Sequence, residues 1–160
     1  MYSRRKIIVA IVILCGSVAV MNAQPRAIGG RIGGNVEFSY QHQLGKNMID
    51  GTLGLGIAPS YTYLNATAMY DWIFPISSWK EKGEWNFYAG LGGGLGFVFR
   101  ENVDVPFCLN FGGQVGIEYQ FWFPLNLSLD YRPMINVLGF GDDIWWGSFF
   151  SLALGVRYRF

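Results

Sequence analysis

The sequence predicts an all-β protein, a closed antiparallel transmembrane β-barrel that follows a cleaved signal peptide, and three observations carry that expectation. Apolar residues alternate with small or polar ones along most of the chain after residue 27, which is the period of a strand with two different faces. The alternating runs reach the roughly 9 to 11 residues that a tilted membrane strand needs, about twice the usual strand of 5 or 6. The less apolar face holds glycine, amides and a few charges in place of the Lys and Glu of a solvated sheet; 18% of the residues are aromatic and 22 are glycine. A barrel reconciles these facts, because in lipid the backbone must be fully paired without an open edge, and aromatic side chains gather at both interfaces.

The N-terminus has a basic start (Arg4, Arg5, Lys6), an apolar run from Ile7 to Val20, and the small residue Ala23 before Gln24. It reads as a secretory signal over 1–23, leaving 24–160 as one barrel domain. A retained anchor would need roughly 20 apolar residues, and lipid attachment at Cys15 would need a small residue where Leu14 stands. Without the signal, nine basic residues face eleven acidic ones, a net charge of −2, which gives no reason to expect nucleic acid as a partner. Cys108 is then the one remaining cysteine, so no internal disulfide is available. It falls on the inward phase and is expected to be a small buried residue.

Taken in order, the first run spans 28–44, with Ile28, Ile32, Val36, Phe38 and Tyr40 against Arg31, Asn35, Glu37, Ser39 and Gln41. The second, 48–57, sets Ile49, Leu53, Leu55 and Ile57 against Asp50, Thr52, Gly54 and Gly56; the third, 61–74, sets Leu64 to Phe74 against Asn65, Thr67, Met69 and Asp71. The fourth, "EWNFYAGLGGGLGFVFR" (84–100), is glycine-rich, but it lacks the Lys-Ser/Thr or G-x-G-x-x-G spacing of a phosphate loop. Read with period two it has an oily face from Trp85 to Phe99 and a nearly bare face of Tyr88, Gly90, Gly92, Gly94 and Gly96. The remaining runs are 107–123, 126–138 and 148–160, ending on Leu152, Leu154, Val156, Tyr158 and Phe160. Pro133, inside the sixth run, predicts a bulge or bend.

The closing "LALGVRYRF" resembles the terminal strand signal of bacterial outer-membrane barrels, with Phe160 preceded at alternate positions by Tyr158, Val156 and Leu154. In length and pattern the chain from residue 24 resembles the small eight-stranded group typified by the OmpA transmembrane domain and OmpX. That resemblance implies an outer-membrane location, reading of Leu154, Val156, Tyr158 and Phe160 by the barrel assembly machinery, and outer-membrane lipid and lipopolysaccharide as surroundings. A monomer is expected. Such barrels have an even number of strands; a hairpin at Gly33, Gly34 and Asn35 would split the first run and turn seven into eight. The alternation stays in phase across that point, which argues the other way. With eight strands, 45–47, 75–84, 123–126 and both termini lie in the periplasm, and 58–60, 101–106 and 139–147 lie outside.

The inward phase collects Arg31, Glu37, Asp50, Asp71, Glu118, Asp130, Arg132 and Arg157, with Arg100 and Arg159 near the rims. Buried charge is costly unless paired, so a hydrogen-bonded network is expected. It is either a structural plug, which eight strands leave room for, or a narrow gated path for ions. Inward glycines, including Gly112, Gly116 and Gly155, make space for Tyr88, Met69, Trp122 and the arginines. In the loop 139–147, Asp142 and Asp143 are candidates to bind a divalent cation bridging lipopolysaccharide, and Trp145 and Trp146 to touch a partner or glycan; an ordinary turn with interfacial tryptophans is the simpler reading. Barrel enzymes acting on lipid A use a serine or aspartate with a histidine near a rim, whereas the single histidine here, His42, falls on the lipid-facing phase. No catalytic, cofactor or metal set is expected. A structural or surface-interaction protein is the leading reading, a narrow porin-like channel the alternative, and a lipid A-modifying enzyme the third.

Overall fold

The computed structural model describes residues 26–58, 61–79, 82–99, 107–138 and 151–160. The signal segment, Arg100 and the loop with Asp142, Asp143, Trp145 and Trp146 lie outside the described residues. The strands are β1 (Arg26–Ile32), β2 (Val36–Leu44), β3 (Asn47–Ala58), β4 (Tyr61–Pro75), β5 (Glu84–Phe99), β6 (Phe107–Gln120), β7 (Leu125–Tyr131), β8 (Met134–Leu138) and β9 (Leu152–Arg159). Neighbours pair antiparallel from β1 to β6, both β7 and β8 pair with β6, and β9 pairs with β7 on one side and β1 on the other. β7 and β8 are two halves of one wall strand, so the sheet closes as an eight-stranded barrel with an even strand number. Among the described residues no helix is long and apolar enough to cross a membrane, and the barrel needs none.

The first run does split: Ile32 pairs with Val36 around a three-residue loop, and the Gly33 amide donates to the Asn35 carbonyl at 3.0 Å. Paired residues share a face of the sheet, so an odd-numbered loop leaves the alternation in phase, and the phase was never an argument against a hairpin. At the next turn Gly45 has φ of 63° between the pair Leu44 and Asn47, a left-handed conformation that glycine adopts without steric cost. At Pro133 the ladder lapses over two residues, yet the register on β6 is the same on either side: Val115 opposes Tyr131 and Gly112 opposes Met134. The register shift lies instead between Leu109 and Asn110.

The barrel is inside out relative to a soluble sandwich. Among the described residues, 17 polar or charged side chains are buried against seven apolar ones, while Ile32, Phe38, Leu53, Leu91, Leu152 and Leu154 are among many large apolar side chains at the surface. Such an exterior suits lipid and not water. Aromatic rings gather around the end that carries the termini: Trp85 lies 4.8 Å from Tyr119 and 5.6 Å from Trp79, and Phe121 lies 4.6 Å from Tyr119 and 4.9 Å from Phe123, centroid to centroid. Phe97, Phe99, Phe107 and Phe111 face outward toward the opposite end.

Two placements differ from the sequence reading. Trp122 was expected inside with Tyr88 and Met69; those two are buried, but Trp122 is 66% exposed. β6 ends at Gln120, and the Phe121 amide closes the turn on the Leu125 carbonyl at 3.0 Å, so strand parity does not extend to residue 122. His42 keeps its outward phase but is buried, stacked against Tyr40 with the rings 6.4 Å apart.

Candidate functional site: the charged barrel interior

Strand alternation aims one side chain in two at the barrel axis, and closure brings side chains from distant strands within reach of one another. Arg31 on β1 stands opposite Glu37 on β2 and pairs with it at 2.8 Å. Its Nε also donates to Asp130 of β7 at 2.7 Å. Arg132, in the gap between β7 and β8, donates through Nε to Gln114 at 2.5 Å and through Nη1 to Thr52 at 3.0 Å; it faces Asp50 at 3.4 Å and Glu37 at 3.5 Å. Arg157 of β9 donates to Ser39 at 2.7 Å, to Ser128 at 2.6 Å and to Asp50 at 3.5 Å. Ser39 donates in turn to Asp50 at 3.1 Å, and the buried Tyr88 hydroxyl donates to Asp130 at 3.2 Å.

Three arginines and three carboxylates, Glu37, Asp50 and Asp130, therefore form a neutral lattice that ties together β1, β2, β3, β6, β7 and β9. Guanidinium groups suit this task, since each offers five donors in a fixed fork. The other two inward carboxylates stand apart. Among the described residues Asp71 of β4 receives only the Gln114 amide, at 3.4 Å. Glu118 of β6 receives three amides, Asn86 at 3.0 Å, Gln120 at 2.7 Å and Asn126 at 2.9 Å. Among the described residues no cation pairs with either. Gly90 lies beside Asp71, and a Cβ on Gly116 would press into the Tyr88 ring and Asp130, so close glycines do make the room for these groups.

The sequence reading did not name Ser39, Thr52, Gln114 and Ser128 as partners of the charges, nor Asn86 and Asn126. Each sits on the inward phase with a donor to offer, and that combination was the available signal. Leu154, Val156 and Tyr158 face outward on β9, followed by the exposed Phe160. Cys108 is buried on the inward phase. Among the described residues no group of three or more His, Cys, Asp or Glu side chains is placed to hold a metal ion. On the outer wall, Gly51, Ala68 and Gly93 are side by side and leave a hollow of about 540 Å³. No charged side chain lines it, so it offers contact area without chemistry.

A closed eight-stranded antiparallel barrel with an apolar wall, aromatic ends and a salt-bridged interior is a small transmembrane β-barrel. No protein-family model matches the chain, and no curated protein matches it in sequence. In structure the chain is similar to Neisserial surface protein A (NspA), with a TM-score of 0.55 and 16% identity over 85% of this chain and 94% of that one. It also aligns with the Yersinia pestis outer membrane protein Ail, with a TM-score of 0.48 and 17% identity over 85% of this chain and 97% of that one. The likeness to NspA shows a shared fold, that of the small eight-stranded outer-membrane barrels.

Proposed function

We propose that the chain is an integral outer-membrane protein whose barrel is a sealed, non-catalytic scaffold, contributing to the cell envelope structurally or by presenting its surface loops to a partner. One observation carries this reading: the neutral lattice of Arg31, Arg132 and Arg157 with Glu37, Asp50 and Asp130 spans the interior from β1 to β9. Opening a path through it would separate buried ion pairs, at about 3–5 kcal/mol for each partner left alone. The name of the similar NspA describes a surface protein, which agrees with a surface role. On this reading the wall meets outer-membrane lipid and lipopolysaccharide, and the barrel is a monomer. The assembly machinery reads Leu154, Val156, Tyr158 and Phe160 on export.

Single-channel recording of refolded protein in planar bilayers tests the seal. A quiet bilayer is expected, and steady, reproducible steps would replace the scaffold with a narrow channel. Electrophoresis of the outer-membrane fraction, boiled against unboiled, tests the location: a fast band that shifts on boiling is expected. Mass spectrometry of lipid A from cells with and without the gene should show one unchanged profile, and an altered one would point to an enzyme.

A further inference from the structure

The charges in the lattice satisfy one another, but the end of the barrel that carries the chain termini holds polar groups that do not. A cavity of about 20 Å³ lies there, lined by Gln41, Gln43, Glu118, Gln120, Asn126 and Arg159 among others. Two of these side chains are more than nine-tenths buried and have an atom without a partner among the described residues: Gln41 Nε2, a donor, and Asn126 Oδ1, an acceptor. Burying either without a hydrogen bond costs on the order of 1–3 kcal/mol. Glu118 carries three amide hydrogen bonds, and a carboxylate has about four acceptor positions.

We propose that this cavity is a binding site for one water molecule, which accepts from Gln41 Nε2 and donates to Asn126 Oδ1 and to Glu118. Three bonds are typical of buried water, and a cavity needs roughly 10–15 Å³ to hold one. The cavity has space for one molecule and not for a file of them. The lining selects water over a metal ion: Gln41 Nε2 presents hydrogens, and the Arg159 guanidinium shares the cavity, so both disfavour a bare cation. An unpartnered donor, Gln41 Nε2, beside an unpartnered acceptor, Asn126 Oδ1, also requires a guest that both donates and accepts. The interior is thus hydrated from one end, up to Glu118. In the ladders Gln41 stands opposite Asp50 and Asn126 opposite Arg157, so this site adjoins the lattice.

The test is NMR of ¹⁵N-labelled protein refolded in lipid nanodiscs, reading magnetisation transfer from water to the Gln41 side-chain amide. Expected is a cross peak with the sign of a long-lived water, lost in Asn126→Leu while the backbone spectrum stays dispersed. Its absence from the unaltered protein, or its survival in Asn126→Leu, overturns the proposal. If Asn126→Leu does not fold, Gln41→Leu serves: the water cross peak at the Asn126 side-chain amide should fall at least several-fold, and an unchanged peak overturns the proposal equally. Exchange of sodium chloride for choline chloride should leave the signal as it is. Loss of the signal there would mean that a metal ion holds the water and that the site is not the one described.

Discussion

Asp50 is the position at which the interior lattice is most exposed to a single substitution. Its carboxylate is fully buried and receives Arg132 at 3.4 Å, Arg157 at 3.5 Å, Ser39 at 3.1 Å and Gln114 at 3.5 Å. Asp50→Asn keeps the shape but removes the charge. Arg132 would retain Glu37 at 3.5 Å, whereas Arg157 would be left, among the described residues, with neutral acceptors and no carboxylate. A buried charge stripped of its partner costs about 3–5 kcal/mol, a large share of a total that runs to roughly 5–15 kcal/mol for a folded domain. The second half of the prediction is compensation. Removing Arg157 as well leaves Arg31 and Arg132 against Glu37 and Asp130, which is again neutral. Asp50→Asn combined with Arg157→Met should therefore cost less than the sum of the single changes, by about 0.5–3 kcal/mol. The assay is urea unfolding in phospholipid vesicles, followed by tryptophan fluorescence and by the mobility shift on gels. A cost of the Asp50→Asn change below about 1 kcal/mol would refute the reasoning that rests on buried charge. Strict additivity of the two changes would refute the claim that the lattice acts as one unit.

Three further outcomes follow from other parts of the barrel. A Cβ at Gly92 would lie 2.6 Å from the Met69 sulfur, and one at Gly94 would lie 2.8 Å from both Asn110 Oδ1 and Thr67 Oγ1; Gly92→Leu and Gly94→Leu should yield no heat-shifting band, and normal folding of both would show that these glycines are not there to make room. Leu91, outward and 64% exposed near the middle of β5, should cost about 2–4 kcal/mol on change to arginine, against about 0–1 kcal/mol for Trp85→Arg near the end; equal costs in vesicle unfolding would contradict the depth assignment. Tyr88→Phe removes the only hydroxyl reaching Asp130 Oδ2 among the described residues and should lower unfolding stability by about 1.5–3 kcal/mol, with an unchanged midpoint counting against that bond.

The architecture was legible because its two constraints are both periodic. Alternation named the wall and the interior residue by residue, so the sequence alone placed Arg31, Glu37, Asp50, Asp71, Glu118, Asp130, Arg132 and Arg157 on the inward phase. Alternation could not say which inward groups meet. Arg31 and Asp130 are 99 residues apart, and only the closure of β9 onto both β1 and β7 brings their strands together. It also ran too far where strands stop, which is why Trp122 was drawn into the interior. Pro133 was read as the site of a bulge or a bend because a proline removes a ladder donor; the wall absorbs that loss with a two-residue lapse and, without a bulge there, keeps its register.

The count of inward charges already contained a surplus of two carboxylates, and the structure shows how that surplus is distributed. The three arginines engage Glu37, Asp50 and Asp130, while among the described residues Asp71 and Glu118 are met by amides alone. This division bears on how one register is chosen for the barrel. The outer wall gives little guidance, since one apolar side chain meets lipid much as another does. A slip of one residue on β2 or β3, however, would turn Glu37 or Asp50 out toward the membrane and leave the arginines opposite without partners. Lattice contacts reach from β1 across to β3, β6, β7 and β9, so they penalise such slips around most of the circumference at once. The polar interior on which the proposed seal rests is, by the same contacts, the part of the sequence that fixes its pairing.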